Sequence, residues 1–479
     1  MQKSFRQFSS AARPLGLAAL SMAVMAGLAL PMSAHASAFQ LGQAGSAQAL
    51  GRAYAGSATA GDDASVAVDN PAAMADLDGN YFQADVTAIN FSAKFHGTAH
   101  DAAGNPISGG NGGDAGTTLP VPSFYIATKV SDRWHIGGGL TVPYGFQTEY
   151  NRNWVGRYNA IKTKLQSLDA TLSASFDVTD NFSVGASIIA QRTSAELSSA
   201  INYNMVAQGL VQQGVAAGKI PAAEAPMLSQ ELNALVPPGS DGYADIKGHN
   251  WHYGWQVGGY WKLTPQDRLA LDYHSKISHT LKGTANFTMP DNVSYLLGTP
   301  TVAALLGGAV PFQHTDGSAR LTTPATADLS YWHQAQRFGI GMDLAWTQWS
   351  VMKQLTVNYA NPAQPATVEP FGWRDTWYAS IGGDYYLTDK LTLRGGLAVD
   401  TTPMRATNRD PRVPDSTRKF VTVGLGYKVN DRFELNAAFA HIFVNAAHLD
   451  GSASFTGDVL AGNFDDYGNM LSLSAQFKF

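Results

Sequence analysis

No cysteine occurs among the 479 residues, which excludes a disulfide framework and thiolate chemistry. Long hydrophobic runs are also missing. Although 45% of residues are hydrophobic, nothing beyond the N-terminal stretch approaches the ~20 apolar residues of a helical bilayer span. Helical spanning is therefore excluded. Charge is scarce, at 14% of residues, and the formal net charge is −5. So mild a balance argues against nucleic acid as a partner. No Ser/His/Asp constellation, metal-ligand spacing or phosphate loop stands out, so no catalytic residue, metal or cofactor is expected.

What is present begins with a basic stretch, Lys3, Arg6 and Arg13, followed by an apolar run from Leu15 to Leu30. Ala34-His35-Ala36 then places small residues at the two positions a signal peptidase reads. Residues 1–36 are expected to be a secretory signal peptide, with the mature chain starting at Ser37. The run stops near Pro31, too short for a membrane anchor.

The rest reads in steps of two. Leu168, Ala170, Leu172, Ala174, Phe176 and Val178 alternate with Asp169, Thr171, Ser173, Ser175 and Asp177. Trp251, Tyr253, Trp255, Val257 and Trp261 alternate with His252, Gly254, Gln256 and Tyr260. Val421, Val423, Leu425 and Tyr427 share one face of another segment. Period two over ten or more residues gives strands with one apolar and one polar face, which a membrane barrel turns to lipid and lumen.

Fourteen strands are expected, near 81–96, 121–130, 134–144, 168–178, 182–192, 249–263, 268–282, 319–332, 336–358, 374–387, 390–399, 418–429, 432–444 and 467–479. Six links are short, such as Thr179-Asp180-Asn181 and Asn430-Asp431. Between them lie longer loops, up to 193–248. Short turns at one end and long loops at the other are the layout of an outer-membrane barrel, and closure removes edges that lipid cannot satisfy. The last strand, ending on Phe479, has the form of the signal read by barrel-assembly machinery. The fold class is all-β, a 14-stranded antiparallel transmembrane barrel.

Residues 37–79 are not strand-like. A lumen as wide as fourteen strands make must be open or filled, and a segment of this size could fill it. Ser37-Ala38-Phe39-Gln40-Leu41, Leu50-Gly51-Arg52-Ala53-Tyr54-Ala55-Gly56, Asp62-Asp63-Ala64 and Asn70-Pro71-Ala72 resemble the N-terminal hatch of the FadL family, outer-membrane transporters of long-chain fatty acids and aromatic hydrocarbons. The resemblance continues through Pro122-Ser123-Phe124-Tyr125, Tyr144-Gly145-Phe146-Gln147-Thr148-Glu149, Tyr253-Gly254-Trp255, Trp346-Thr347-Gln348-Trp349-Ser350 and Phe371-Gly372-Trp373. It implies a hatch over 37–79, a barrel over 80–479, and a ligand site that includes Phe39, Tyr144, Phe146, Leu210 and Leu296. It also implies a sideways-opening kink in the third strand.

Pro143, which lacks an amide donor, and Gly145 interrupt that strand, either as such a kink or simply as its end. Helical loops are expected near 203–236 and 291–309, where apolar residues such as Leu210 and Leu296 capture substrate or pack as a lid. Arg52 is expected to tie the hatch together with Asp62 and Asp63. His441 suits a membrane interface or, in a rival reading, a lipid hydrolase. Asp450, Asp458, Asp465 and Asp466 form a solvated acidic loop or a Ca²⁺ site.

One departure bears on substrate. Where fatty-acid members of the family place basic residues for a carboxylate, this chain has Ser198-Ser199 and Leu355-Thr356, with Lys353 close by. The expected function is passive uptake of hydrophobic small molecules, either fatty acids or neutral hydrocarbons, through a membrane facing lipopolysaccharide. A general diffusion porin is the other rival.

Overall fold

The computed structural model describes residues 40, 44–61, 63–300, 302 and 310–479. The expected signal peptide, Phe39 and Asp62 lie outside these residues.

The alternation of the sequence decides which way the sheet faces. Leu172 is 68% exposed beside Ser173 at 2%, and on the neighbouring strand Ile188 is 66% exposed beside Ser187 at 4%. Apolar side chains point out and polar ones in, the inverse of a water-soluble sheet and the arrangement a bilayer stabilises. The fourteen strands are β1 (Asn80–His100), β2 (Thr118–Lys129), β3 (Trp134–Thr141, resuming as Gly145–Glu149), β4 (Lys162–Thr179) and β5 (Phe182–Asn202). They continue with β6 (Asp241–Lys262), β7 (Asp267–His274 and Ile277–Thr288), β8 (Thr315–Thr323 and Thr326–Gln334) and β9 (Phe338–Thr347 and Gln354–Tyr359). The last five are β10 (Thr367–Pro370 and Thr376–Tyr386), β11 (Leu391–Asp400), β12 (Arg418–Asn430), β13 (Phe433–Val444 and Ala447–Ala453) and β14 (Val459–Lys478).

Every pairing is antiparallel, and β1 closes on β14 from Tyr81↔Lys478 to His100↔Val459. At the terminus Phe479 N donates to Asn80 O at 2.9 Å. Closure pairs the first strand with the last, so neither is left as a free edge. Aromatic pairs gather beside the short turns: Trp134 with Phe176 at 4.8 Å and Phe433 stacked on Phe477 at 4.3 Å. Among the described residues, no helix is long and apolar enough to cross a membrane.

Two expectations about strands are corrected. β5 and β6 reach Asn202 and begin at Asp241, so the loop expected over 193–248 shrinks to 203–240. At 21 and 22 residues they are about twice as long as the ~9–11 that span the hydrocarbon layer. Beyond the lipid both faces no longer need opposite polarity, and the alternation that marks a strand fades. In addition, β7, β8 and β9 are each interrupted, where continuous strands were expected, and β10 and β13 carry a further segment beyond the expected 374–387 and 432–444. Pro324 sits at the break in β8 and Gly372, with φ +57°, at the break in β10.

The N-terminal segment packs against inward-facing residues of this wall. It contains α1 (Ala47–Gly51), α2 (Val66–Asp69) and a 3-10 turn (Pro71–Asp76). These pieces are too short to persist alone. Ser46 Oγ caps α1 by accepting from Ala49 N at 3.1 Å, and Asn70 Oδ1 accepts from Ala72 N at 3.1 Å. Tertiary bonds do the rest. Ala47 N donates to Asp85 at 2.9 Å, Ala64 N to Gln83 at 2.9 Å, and Tyr378 OH to Ala53 O at 2.8 Å. Backbone approaches are close enough to require glycine on the wall. A Cβ on Gly185 would lie 2.4 Å from Ala72 N, and one on Gly396 2.3 Å from Arg52 C.

Candidate functional site

The breaks in the wall build the site. β3 stops at Thr141, opposite Asp169, and resumes at Gly145, opposite Gln166. Pro143 lies in the gap, and Tyr144 is diverted inward to bridge Gln40 of the N-terminal segment. Ser167 holds the diverted residue, with Ser167 N donating to Tyr144 O at 2.8 Å and Tyr144 N to Ser167 Oγ at 3.0 Å. On its other side β3 pairs with β2 only up to Phe124↔Leu140. Among the described residues, the next backbone bond across this seam is Glu149 N to Ala115 O at 3.0 Å. The wall is therefore unpaired between those two points.

Breaks in β3, β8, β9 and β10 meet across the interior. Each frees the backbone from strict alternation, so bulky side chains turn inward one after another. Tyr144 lies 6.0 Å from Trp349, Trp349 5.3 Å from Trp373, and Trp373 5.1 Å from Phe371. Phe146, Leu281, Leu355 and Met352 complete a buried apolar cluster, with Leu197 packed against it. The Trp346–Ser350 and Phe371–Trp373 stretches of the sequence thus supply its aromatic floor.

Above it apolar residues continue to line the interior. A cavity of about 30 Å³ is lined by Leu197, Ile246, Leu281 and Leu355. Leu197 and Ile246 also line a cavity of about 60 Å³ that includes Phe287, Phe312 and Arg412. Phe312 in turn belongs to the cluster beneath the loop helices α3 (Tyr203–Ala216), α4 (Ala225–Leu235) and α5 (Asp291–Leu297), with Leu296 buried in it and Leu210 and Phe287 packed against it. Shared residues link the loop surface to the break in β3.

Below the aromatic floor the character changes. A cavity of about 190 Å³ touches Pro143, Tyr144, Gln40 and Tyr54, and its acids are Asp69, Asp272, Asp328 and Asp343. Burial, with Asp63, Asp272 and Asp343 nearby, pushes the Asp69 carboxyl up to about 8. Asp69 is half-buried and lines this cavity.

The remaining residues singled out in the sequence fall as follows. Gly145 begins the resumed half of β3. Asn70 Nδ2 donates to Gly259 O at 3.3 Å, and Pro71 and Ala72 lie against Gly185. Arg52 pairs with Asp384 of the wall at 3.3 Å and lies 5.1 Å from the centre of the Trp332 ring. Asp63 accepts from Ser46 Oγ. His441 shares a hydrogen bond with Asn469 at 2.8 Å and packs on Phe443. Asp458 accepts from Asn202 at 3.0 Å, and Asp450 pairs with His448. Among the described residues, no group of three or more His, Asp or Glu is placed to hold a metal.

Sequence reasoning missed the loop after β11. It dips inward, with Thr148 Oγ1 donating to Arg412 O at 2.9 Å and Tyr150 OH to Pro411 O at 2.6 Å. This buries Arg412 beside Glu369 (3.0 Å) and Asp410 (4.0 Å). Burial, with Glu369 close by, pushes Asp410 up to about 6 despite Arg412. The dense run Arg405, Arg409, Asp410, Arg412, Asp415 and Arg418 was the available signal, but a charged loop ordinarily means a solvated one.

The geometry has counterparts. The model of the outer membrane protein transport family (OMPP1/FadL/TodX) matches residues 27–479. A 47 kDa outer membrane protein of Pasteurella multocida is 30% identical over 89% of this chain and 90% of its own. The long-chain fatty acid transport protein of Escherichia coli K12 is 27% identical over 83% of this chain and 85% of its own. Among solved structures, a Pseudomonas aeruginosa FadL homologue superposes with a TM-score of 0.83 at 31% identity, covering 92% of this chain and all of that one. The Pseudomonas putida toluene transporter TodX shares the fold, with a TM-score of 0.61 at 21% identity over 87% of this chain and 94% of its own. This chain belongs to the FadL/TodX family of outer-membrane transport proteins and is a multi-pass β-barrel of the outer membrane.

Proposed function

We propose that the chain mediates passive uptake of hydrophobic small molecules and releases them sideways through the interruption of β3. The relatives' names supply two substrate classes, long-chain fatty acids and monoaromatic hydrocarbons. The observation that carries the reading is the succession of apolar residues from Leu210 and Leu296, past Leu197 and Ile246, to Tyr144 and Phe146 at the unpaired seam. Substrate crosses the lipopolysaccharide layer on the loop helices and moves down this lining. The N-terminal segment acts as the hatch that closes the route to the periplasm, and the acidic cavity below discourages apolar solutes from continuing downward. Release into lipid spares the solute about 25 cal/mol per Å² of apolar surface that release into water would forfeit. The terminal strand ending at Phe479 serves recognition by the barrel-assembly machinery.

Uptake of a labelled hydrophobic solute by cells whose sole transporter is this chain tests the reading. Phe146→Asp, which puts a charge into the lining, is expected to abolish uptake while the barrel still assembles. Undiminished uptake by an assembled Phe146→Asp protein would exclude this route. Steady ion conductance of the intact protein in planar bilayers would favour a general diffusion porin.

A further inference from the structure

We propose that Arg412, held between Glu369 and Asp410, makes the pocket under the loops prefer long-chain molecules ending in a neutral oxygen over those ending in a free carboxylate. The inference rests on the uptake reading above and adds the chemistry of the head group.

The first observation is an unused donor. Arg412 is 6% exposed, and Nη2 donates to Glu369 Oε1 at 3.0 Å. Among the described residues, Nε and Nη1 have no hydrogen-bond acceptor; the nearer carboxylate of Asp410 stands 4.0 Å from Nε. A buried guanidinium left with unmet N–H groups is costly, and an oxygen brought by a ligand would satisfy it. Ser198 and Ser199 line the same cavity and can each donate or accept.

The second observation is the charge around that donor. Two carboxylates flank the one guanidinium. Neither of the buried arginines close by lines the cavity: Arg157 is matched by Asp241 at 2.7 Å, and Arg409 donates to the carbonyls of Asp415 and His448. Asp458 accepts from Asn202, Ser454 and Thr456, of which Ser454 and Thr456 line the cavity. Lys162 and Lys247, on strands beside it, are paired with Glu196, and Lys247 also with Asp245. Of the charged residues that line the cavity, two are therefore carboxylates and one a guanidinium. An alcohol, ketone or ester oxygen can accept from Arg412 without meeting that excess, whereas a carboxylate brings another negative charge into it.

The third observation is size and continuity. The cavity of about 60 Å³ is small, with room for a head group. Through Leu197 and Ile246 it adjoins the apolar cavity over Leu281 and Leu355, where a chain attached to that head would run.

The test is competition binding on the full-length protein in detergent near neutral pH. A fluorescent fatty-chain probe is displaced by a sixteen-carbon alcohol or by the matching carboxylate. The alcohol is expected to bind about tenfold tighter or more, and Glu369→Gln to raise carboxylate affinity about tenfold. Arg412→Met should weaken the alcohol about tenfold. If that variant fails to fold, the ratio in the unmodified protein and the Glu369→Gln variant still decide. Equal or tighter binding of the carboxylate by the unmodified protein, or unchanged discrimination in Glu369→Gln, would overturn the inference and leave the uptake reading standing. Binding of neither molecule, nor of the probe, would overturn both.

Discussion

The hydroxyl of Tyr144 donates to the carbonyl of Pro324 at 3.2 Å, so the interruption of β3 is tied across the interior to the interruption of β8. Neither residue could make this bond from a regular strand. Tyr144 faces inward because Pro143 breaks the ladder beside it, and the Pro324 carbonyl is available because β8 is broken there as well. Tyr144→Phe keeps the ring against Trp349 and removes one hydrogen bond, leaving a buried carbonyl unpaired, at about 1–3 kcal/mol. Ligand is expected to leave the purified variant several-fold faster. Tyr144→Ala, which also removes the ring, should cost more, about 3–5 kcal/mol. Stopped-flow dissociation of a fluorescent ligand reads both, and indistinguishable rates for the three proteins would remove Tyr144 from the site.

Close approach between wall and N-terminal segment gives a second expectation. A Cβ on Gly185 would meet the Ala72 backbone at 2.4 Å, and backbone cannot rotate away as a flexible side chain can. Gly185→Val should therefore displace the Pro71–Asp76 turn at a cost of about 1–3 kcal/mol. Because Gly185 sits in a long strand with full pairing on both sides, the barrel itself should assemble. Planar-bilayer recordings should show raised ion conductance. A variant as tight as the parent would mean that the segment does not seal the lumen.

Asp69 makes the seating of that segment depend on pH. Its carboxyl titrates at about 8 in the folded protein against an ordinary 3.8, so the docked state binds more protons than a released one. The stabilisation is complete below the lower value and is lost as pH rises through the higher. Conductance should increase between about pH 4 and pH 8, and Asp69→Asn, which stays neutral, should flatten this rise. Asp272, Asp328 and Asp343 face the same cavity, so part of the rise should survive. A rise identical in both proteins would exclude Asp69 as the cause.

Much of this architecture is legible in the sequence because a bilayer imposes a strict code. Wherever lipid touches the wall, as along Leu172 and Ile188, outward residues must be apolar and inward ones suit a wet lumen, so period two is unmistakable. The code lapses where lipid ends. Thr193 to Asn202 continue β5 without the outward apolar signal, and inward Leu197 reverses the pattern because it lines the pocket. The interruption at Ser275 and Lys276 in β7 escapes notice because neither residue is a proline or a glycine. Pro143 stood out because proline cannot complete a ladder. Arg412 was illegible for a different reason: its burial depends on Thr148, Tyr150 and Glu369, distant in sequence, and nothing local distinguishes it from a solvated arginine.

The most direct measurement concerns the seam itself. Unpaired amides facing lipid are costly, so lateral release needs a place where pairing is already broken, and the β2–β3 seam between Phe124 and Glu149 is such a place. Pro143→Val with Gly145→Thr restores residues suited to a continuous strand. Uptake of labelled hydrophobic solute should then fall at least tenfold, about 1.4 kcal/mol or more in the passage barrier, while heat-modifiable migration and ligand binding at the loops persist. Normal uptake by the correctly assembled double variant would contradict lateral release through β3.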